Sequence, residues 1–490
     1  MAVIVCRRLS TAARVVLRQR PTPNAAVTTD CFELRSGGCG PPAAVCAAGE
    51  LGSSSTDTLY CRTLAISVDP FLRCRFNEST GVAYTSPYTI GAPLTSAGIG
   101  QVLACGATAK KRGFEPGDLV LQPFDAWPWA TATSVSSSSV ARIPSALGML
   151  VSPSALLGAA GQPGLTAFVG VDCVAKPQPR ETVIVSGAAG AVGSVVAQLC
   201  RKRGARVVGL CGSEAKAQWL LAAGIVDRAV NYRREAELMA ALREEPSHVY
   251  WDNVGGAMSD AVIMHSLQHG ARILVCGQIS MYDTDQDYPP PLRTCEQRQL
   301  PTRPQSCALL LPIPPCKCVC EGMHTCMPHA RLGMCAPSVL DSTRLDSTRL
   351  DSTEVVPHRC AGGEALERTS RLAITRERYL VLDHQPHFGR ALASLVQMVA
   401  AGELVSRETL WHGGIVNAPA AFIEMMGGAN AGKALVVANP DPRFPLSPRW
   451  RAAECIRGLM PPALRGWLAS QFATEARMAA ALDPRDNQRS

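Results

Sequence analysis

The chain has 490 residues, of which 47% are hydrophobic and 18% are charged, so it has enough apolar material for a sizeable core and is not expected to be intrinsically disordered. No apolar run reaches the roughly 18 residues that a membrane-spanning helix needs, which predicts a soluble protein without a membrane partner. The net charge of +8 comes from an excess of basic residues in 1–29, 293–373 and 440–490, and the rest of the chain lacks the basic pattern typical of nucleic-acid binding.

The N-terminal run MAVIVCRRLSTAARVVLRQR is rich in Arg and lacks acidic residues, as mitochondrial transit peptides do. A short extension before a first strand, RVVL, is the alternative interpretation. Eight of the 20 cysteines lie in one low-complexity stretch and the others are scattered singly, which indicates reduced thiols in an intracellular protein. We expect a cytoplasmic location, with a mitochondrial one as the alternative.

Residues 14–150 contain many short β-branched runs separated by Gly, Pro, Asp and Ser clusters, among them LYCRTLAISV, GIGQVLAC and DLVLQPF. Short strands at this spacing predict a partly open β-barrel domain. From about residue 151 the pattern changes to alternating strands and helices, beginning with TVIVSG and AVGSVVAQLCRKRG. This alternation predicts a doubly wound parallel sheet with right-handed crossovers.

Residues 293–373 have no sustained period and contain the tandem repeat LDSTRLDSTRLDST, so no core-forming face is expected there. The segment is interpreted as a disordered extrusion or as a stretch that the folded protein does not contain. Its Cys316, Cys318, Cys320 and Cys326, with His324, lack the usual spacing of a zinc site, and no metal site is predicted. Regular structure is expected to resume at TRERYLVLD, with YLVL as a strand.

The sequence SGAAGAVG, from Ser186 to Gly193, lies between a predicted buried strand and a helix. Small residues there let a pyrophosphate approach the backbone N–H groups at a helix N-terminus. A turn that only packs helix against strand, with no nucleotide, is the alternative. The next strand ends in GLCGS, without the carboxylate that binds an NAD ribose, and Lys216 follows. These residues favour NADPH over NADH, although a solvated helix face is the ordinary place for a lysine.

In zinc alcohol dehydrogenases, two segments supply catalytic zinc ligands. Here the segment in the place of the first ligand reads VDPFLRCRF, and the segment that would carry Gly-His-Glu reads SAGIG. Without a Lewis acid, oxidation of a plain alcohol is difficult. Reduction of a double bond that a carbonyl already polarises is easier. The sequence therefore predicts a zinc-free reductase.

The runs LAISVDPFLRCRFNESTG, GQPGLTAFVG, VSGAAGAVGSVVAQL, WDNVGG, DYPPPL, ITRERYLVL and GGANAGK are similar to those of the zinc-independent, leukotriene B4 dehydrogenase-like branch of the medium-chain dehydrogenases/reductases. The resemblance covers 14–292 and 374–439. It implies an α/β protein with a GroES-like catalytic barrel and a Rossmann domain. It also implies NADPH-dependent reduction of the 13,14 double bond of 15-keto-prostaglandins, lipid enones of small size.

The resemblance divides the chain into an N-terminal extension (1–13), a GroES-like domain (14–150), a Rossmann domain (151–292 and 374–400), the insertion (293–373), a return to the catalytic domain (401–439) and a C-terminal extension (440–490). It implies that the cofactor contacts Ala189, Gly190, Ala191, Val192, Lys216, Tyr232, Asn253, Cys276, Gly277, Gln278, Ile279, Ser280, Met281, Tyr282, Tyr379, Leu380, Val381 and Asn430. Asp125 and Ala126 are implied to contact the substrate, although PFDAWPW is two residues longer here than in the family.

Hydride addition to the β-carbon of an enone builds negative charge on the ketone oxygen, which a preorganised hydrogen-bond donor stabilises. Tyr282 is the candidate donor, and a tyrosine that only packs on the cofactor is the alternative. Three functions remain open: the 15-keto-prostaglandin reductase, a broader alkenal or quinone reductase, and a protein that binds NADPH but is inactivated by its insertion. We expect a monomer or homodimer.

Overall fold

The computed structural model of the chain describes residues 13–36, 57–284, 367–438 and 448–472. Residues 1–12 of the predicted N-terminal extension and 293–366 of the predicted insertion, with its cysteine cluster, lie outside this part of the chain.

Six strands of the described chain form a parallel sheet. They are β8 (Thr182–Ser186), β9 (Arg206–Cys211), β10 (Arg228–Asn231), β11 (Ser247–Asp252), β12 (Leu267–Val275) and β13 (Thr375–Arg378), in the order β10-β9-β8-β11-β12-β13. All five residues of β8 are buried, as expected for a strand covered on both faces. The order reverses direction between β8 and β11, and such a switch point places a ligand crevice at the carboxyl ends of these strands.

Helices cover both faces of the parallel sheet. They are α3 (Gln162–Val169), α4 (Ala191–Lys202), α5 (Glu214–Ala222), α6 (Glu235–Glu244), α7 (Gly256–His265) and α8 (Phe388–Ala400). One apolar cluster packs α4 and α8 against one face of the sheet, and a second packs α6 and α7 against the other. The fold predicted for this region is confirmed.

Seven further strands form a mixed sheet. They are β3 (Thr58–Ser67), β4 (Thr95–Cys105), β5 (Leu119–Pro128), β6 (Ala132–Ser136), β7 (Ala141–Ile143), β14 (Glu408–Trp411) and β15 (Lys433–Val437). The path runs β14-β15-β3-β4-β5-β7, with β6 paired to β3, while β1 (Ala13–Leu17) and β2 (Phe32–Ser36) form a separate antiparallel pair. Short helices α1 (Ala107–Lys111) and α2 (Ser145–Gly148) and the longer α9 (Ala418–Met426) complete this region. The architecture agrees with the predicted GroES-like barrel, and the exact domain boundaries stay a prediction.

Two local expectations differ from the structure. The strand before the residues YLV is TRER, at 375–378, and Tyr379 begins the turn that leaves the sheet. Residues 367–373, assigned to the segment without a core-forming face, instead begin with a helical turn whose Thr369 is buried. Arg368 Nε donates to the Ile263 carbonyl at 2.9 Å, so this end of the insertion belongs to the folded unit.

Part of the predicted C-terminal extension also folds. Helices α10 (Pro448–Leu459) and α11 (Pro462–Phe472) follow one another, and Ala469 of α11 is buried in the core next to α8. Arg457 donates to the Gly148 carbonyl at 2.9 Å, and Arg465 donates to the Ala400 carbonyl at 3.2 Å. The predicted extension 440–490 therefore contributes two helices to the folded unit.

Candidate cofactor and active site

The turn between β8 and α4 is shaped by glycines. Gly187 has a φ of +59°, a conformation that side chains other than glycine rarely adopt. A Cβ atom added to Gly193 would lie 2.4 Å from the Gly187 carbonyl oxygen, so helix α4 approaches the turn as closely as it does only because residue 193 has no side chain. The turn therefore presents the N-terminus of a 12-residue helix, where backbone N–H groups favour an anion.

The opposite side of this turn is held by the barrel. Gly432 N donates to the Ala189 carbonyl at 2.7 Å, and Gly190 forms an isolated parallel bridge with Gly432. Gly432 directly precedes β15, so the turn after β8 is tied to the start of a strand in the mixed sheet. Asn430, two positions earlier, donates from Nδ2 to the Gly432 carbonyl at 2.8 Å and so stiffens the loop.

The next crossover forms the second part of the site. A Cβ atom on Gly212 would lie 2.6 Å from the Tyr232 hydroxyl, which places that hydroxyl directly over the end of β9. Lys216 is half-buried, and its Nζ donates to the Gly428 carbonyl at 2.6 Å. Burial lowers the pKa of Lys216 from its usual value. Lys216 and Tyr232 thus bring a cation and a hydroxyl to the same cavity wall.

The end of β11 forms the third part. Asp252, wholly buried, accepts hydrogen bonds from the backbone N–H groups of Val254 and Gly255 at 3.0 and 2.9 Å. Asn253 donates from Nδ2 to the Ser186 carbonyl at 2.7 Å and accepts from Trp251 Nε1 at 3.1 Å. The carboxylate and the two flanking contacts fix the orientation of Asn253 at the edge of the crevice.

Cys276 and Tyr379 lie at the ends of the next two strands. Burial raises the pKa of the Cys276 thiol to about 12, so it remains a neutral thiol near neutral pH and is a poor nucleophile. The Tyr379 hydroxyl donates to the Thr166 carbonyl at 2.9 Å, and burial raises its pKa well above its usual range. Neither group is poised for acid–base chemistry.

One cavity of 320 Å³ unites these parts. Of the residues implied by the resemblance, it is lined by Ala189, Gly190, Ala191, Val192, Lys216, Tyr232, Asn253, Cys276, Gly277, Ile279, Tyr282, Tyr379, Leu380, Val381 and Asn430. Gln278, Ser280 and Met281 do not line it. Ser280 Oγ instead donates to the Val254 carbonyl at 2.6 Å, while Gln278 and Met281 are buried.

Asp125 and Ala126, the pair implied to contact substrate, do not line the cavity either. Ala126 is exposed, and Asp125 Oδ2 accepts from Thr85 Oγ1 at 2.5 Å and lies 3.5 Å from Arg75 Nη1. Thr85 follows Tyr84, which does line the cavity. Asp125 is therefore linked to the cavity only indirectly, through the loop that carries Thr85 and Tyr84.

The cavity wall includes residues that the sequence reasoning missed. One apolar part of the wall is formed by Pro70, Phe71, Tyr84, Leu382 and Met425. It is called the substrate end below, because it is the part proposed to bind substrate. Phe71 and Tyr84 have their ring centroids 6.4 Å apart. These side chains come from four separate segments of the chain, so no local motif marks them.

A buried ion pair also lies in the cavity wall. The Lys433 ammonium, only 3% exposed, pairs with Asp69, and Asp69 also accepts a hydrogen bond from Ser67. Asp69 stands in the run VDPFLRCRF and Lys433 ends the run GGANAGK, so the two motifs that marked the resemblance meet here. The signal was present, but only the fold brings the two residues together.

The described residues contain no group of three His, Cys, Asp or Glu that could hold a metal ion. Among the described helices, none is long and apolar enough to cross a membrane.

With this geometry, known proteins can be compared. A model of the zinc-binding dehydrogenase family matches residues 191–300, the region of α4 and the strands that follow it. Prostaglandin reductase 1 from Rattus norvegicus is 32% identical over 247 residues, which are 49% of this chain and 69% of that protein. The chain belongs to the zinc-binding dehydrogenase family.

Two other family relatives match different shares of the chain. A putative NADP-dependent oxidoreductase from Bacillus subtilis is 39% identical over 229 residues, 46% of this chain, and the chain spans 63% of its length. An NADP-dependent 2-alkenal reductase from Nicotiana tabacum is 28% identical over 398 residues, 79% of this chain and 89% of that protein. The crystal structure of CurA from Vibrio vulnificus with NADPH superposes with a TM-score of 0.61 at 24% identity, covering 87% of this chain and 99% of CurA, and supports the fold.

Proposed function

We propose that the chain reduces carbon–carbon double bonds conjugated to a carbonyl, with NADPH as the reductant, and that 15-keto-prostaglandins are its substrates. The observation that carries the proposal is the cavity that joins a dinucleotide turn at Gly190 to an apolar substrate end at Phe71 and Tyr84. The NADP-dependent reductases among its relatives support the same class of reaction.

The residues present fit NADPH. Gly190 and Ala191 line the cavity at the N-terminus of α4, where a pyrophosphate would lie against the backbone. Lys216 and Tyr232 would supply a cation and a hydroxyl for the 2′-phosphate. Asn253, Gly277 and the residues from Tyr379 to Val381 would hold the nicotinamide end. When bound, the cofactor supplies a hydride.

The chain's own contribution to the reaction is electrostatic. Tyr282 lines the cavity, and a Cβ atom on Gly277 would lie 3.5 Å from its hydroxyl, so the phenol stands over the backbone at the end of β12. There it donates a hydrogen bond to the ketone oxygen of the substrate as negative charge develops on that oxygen. A donor in a closed site is worth more than one in water, because no solvent has to reorganise. A proton from water then reaches the α-carbon and completes the reduction.

The substrate end favours a lipid-like enone. Phe71, Tyr84, Leu382 and Met425 provide apolar contact area, and the Lys433–Asp69 pair is the polar exception. By resemblance, the runs DYPPPL and ITRERYLVL favour prostaglandin reductase 2 over reductase 1, and this resemblance supports 15-keto-prostaglandins as the substrates.

The deciding measurement is NADPH oxidation with a 15-keto-prostaglandin, a 2-alkenal and a quinone, with the products identified by mass spectrometry. We expect the 13,14-dihydro product and a higher kcat/KM for the prostaglandin than for the other two. Equal or better turnover of the alkenal or quinone would favour the broader reductase. The match to the Nicotiana tabacum 2-alkenal reductase over 398 residues supports that alternative. NADPH binding without turnover of any of the three would identify an inactive binding protein.

A further inference from the structure

The loop that carries Tyr282 is joined to the substrate end by an ion pair. Asp283 directly follows Tyr282, and its Oδ1 accepts a hydrogen bond from Arg73 Nε at 2.5 Å. Arg73 belongs to the 3₁₀ segment Pro70–Phe76, whose first two residues line the cavity. Residues 210 positions apart in the sequence are thus in direct contact beside the site.

The Arg73 side chain is also held by two acceptors other than Asp283. Its Nη1 donates to Asn77 Oδ1 at 2.8 Å and its Nη2 donates to the Ala25 carbonyl at 2.7 Å. The side chain of Arg73 is 1% exposed, whereas that of Asp283 is 36% exposed. A buried guanidinium is held rigidly by such a set of acceptors, because any acceptor that is lost leaves a buried donor unpaired.

The other end of the same loop is held by the parallel sheet. Gly277 N donates to the Asp252 carbonyl at 3.1 Å, and Ser280 N donates to the Val254 carbonyl at 3.0 Å. Tyr282 follows these contacts and precedes the Arg73 contact. The backbone nitrogen of Tyr282 lies 3.4 Å from the Ile279 carbonyl oxygen, so this hydrogen bond is long. Tyr282 therefore lies between two anchors, one on the parallel sheet and one on Arg73.

We propose that Arg73 and Asp283 are positioning residues, which hold the Tyr282 hydroxyl in place relative to Pro70 and Phe71 of the substrate end. The inference rests on the proposed role of Tyr282 as hydrogen-bond donor. Arg73 lies in the same segment as Pro70 and Phe71, so its position is fixed relative to the substrate end. Its ion pair with Asp283 in turn fixes the neighbouring Tyr282 relative to the substrate end. A misplacement of about 1 Å at a reacting group can lower a rate by about 100-fold, so a contact of this kind has catalytic weight without touching substrate.

The test is a double-mutant cycle between Asp283→Ala and Tyr282→Phe, measured as kcat for enone reduction. Asp283→Ala is expected to lower kcat by about 10- to 100-fold in the wild-type background while the Kd for NADPH stays the same. In the Tyr282→Phe background the same change is expected to cost little more, because the hydroxyl that it positions is already absent. Asp283→Asn, which keeps an acceptor oxygen, should show a smaller loss.

Glu403→Ala is the matched control, since it removes an exposed ion pair with Lys202 away from the cavity. It should leave kcat unchanged. An equal loss of kcat from Asp283→Ala in both backgrounds would overturn the proposal, because the carboxylate would then act independently of Tyr282. So would a wild-type kcat in the Asp283→Ala variant.

Hydrogen exchange of the amides in 277–284 provides a readout without turnover. These amides should exchange faster in Asp283→Ala than in Glu403→Ala, while the amides of β8 and α4 keep the same protection in both variants, which excludes global unfolding as the cause. If the wild type reduced no enone and the exchange difference were still present, the proposed function would be wrong while the anchoring of the loop would stand. Unchanged exchange would overturn the anchoring itself.

Discussion

The two ends of the cavity are built in opposite ways. At the phosphate end, the turn from Ser186 to Gly193 is continuous in sequence, and the cofactor would be held largely by backbone N–H groups. At the substrate end, side chains from distant segments converge, and Arg73 contacts Asp283, the residue that follows the candidate donor Tyr282. Anion binding by backbone needs one well-formed turn, whereas a specific substrate wall needs several elements held in register.

The comparison predicts that the phosphate end is sensitive to the smallest steric change. Gly193→Ala would place a Cβ atom 2.4 Å from the Gly187 carbonyl oxygen, and the turn has to shift to relieve the contact. We expect NADPH binding, followed by nicotinamide fluorescence, to be lost within the accessible concentration range. Overpacking of this kind also costs about 1–3 kcal/mol of folding free energy, which a lowered melting temperature would report.

Gly458→Ala is the matched control, because a Cβ atom there meets nothing within 4 Å and the residue lies in helix α10. It should bind NADPH as the wild type does and melt at the same or a higher temperature, since alanine is the better helix former. Wild-type NADPH affinity in Gly193→Ala would show that the turn does not hold the pyrophosphate.

At the substrate end, chemistry depends on one side chain. Tyr282→Phe removes the proposed donor and leaves the ring, so kcat is expected to fall by about 100- to 1000-fold, as it does when one oxyanion-hole donor is removed. The Kd for NADPH should change little, because the turn at Gly190 is untouched. A kcat near that of the wild type would mean that Tyr282 only packs against the cofactor, and the donor would have to be sought elsewhere in the cavity wall.

Cofactor choice depends on the side chains next to the turn rather than on the turn itself. Lys216→Ala should weaken NADPH binding by about 10- to 100-fold, as expected for charge-assisted contacts of about 1.5–3 kcal/mol, and leave NADH affinity almost unchanged. Parallel titrations with the two cofactors measure this, with Lys202→Ala as a control on the neighbouring helix. Equal losses for NADPH and NADH would show that Lys216 supports the fold of the site and does not recognise the phosphate.

The smallest effect is expected where contact with substrate is indirect. Asp125→Ala removes the acceptor for Thr85 and so loosens the loop that presents Tyr84. We expect KM for the lipid substrate to rise a few-fold with kcat nearly unchanged. Thr85→Val, which removes the donor of the same hydrogen bond, should behave alike. A large fall in kcat would instead indicate that Asp125 contacts the reacting part of the substrate.

The phosphate turn was predictable from sequence because every feature that it needs is local. The buried run TVIVS, the small residues that follow and the helix after them are consecutive, and their spacing alone indicates the strand, the turn and the helix. The alternation of strands and helices likewise predicts a doubly wound parallel sheet with right-handed crossovers, whereas the strand order is known from the structure. The same pattern points to Lys216 and Tyr232. Lys216 lies in the first turn of the helix after β9, and Tyr232 directly follows β10.

Tertiary structure alone decided the rest. Lys433 and Asp69 are 364 positions apart and pair only because β15 lies next to β3 in the mixed sheet. The resemblance implies that Asp125 contacts substrate, yet its side chain accepts from Thr85 and lies near Arg75. Asp125 stands where β5 falls out of register with β4, between Gln122 and Trp127, which only the structure shows. The helical residues at 367–371 and helix α11 have only a weak hydrophobic periodicity in their sequences. They pack against α7 and α8, respectively. A short helix is stabilised mainly by burial against its neighbours, so its own sequence does not reveal it.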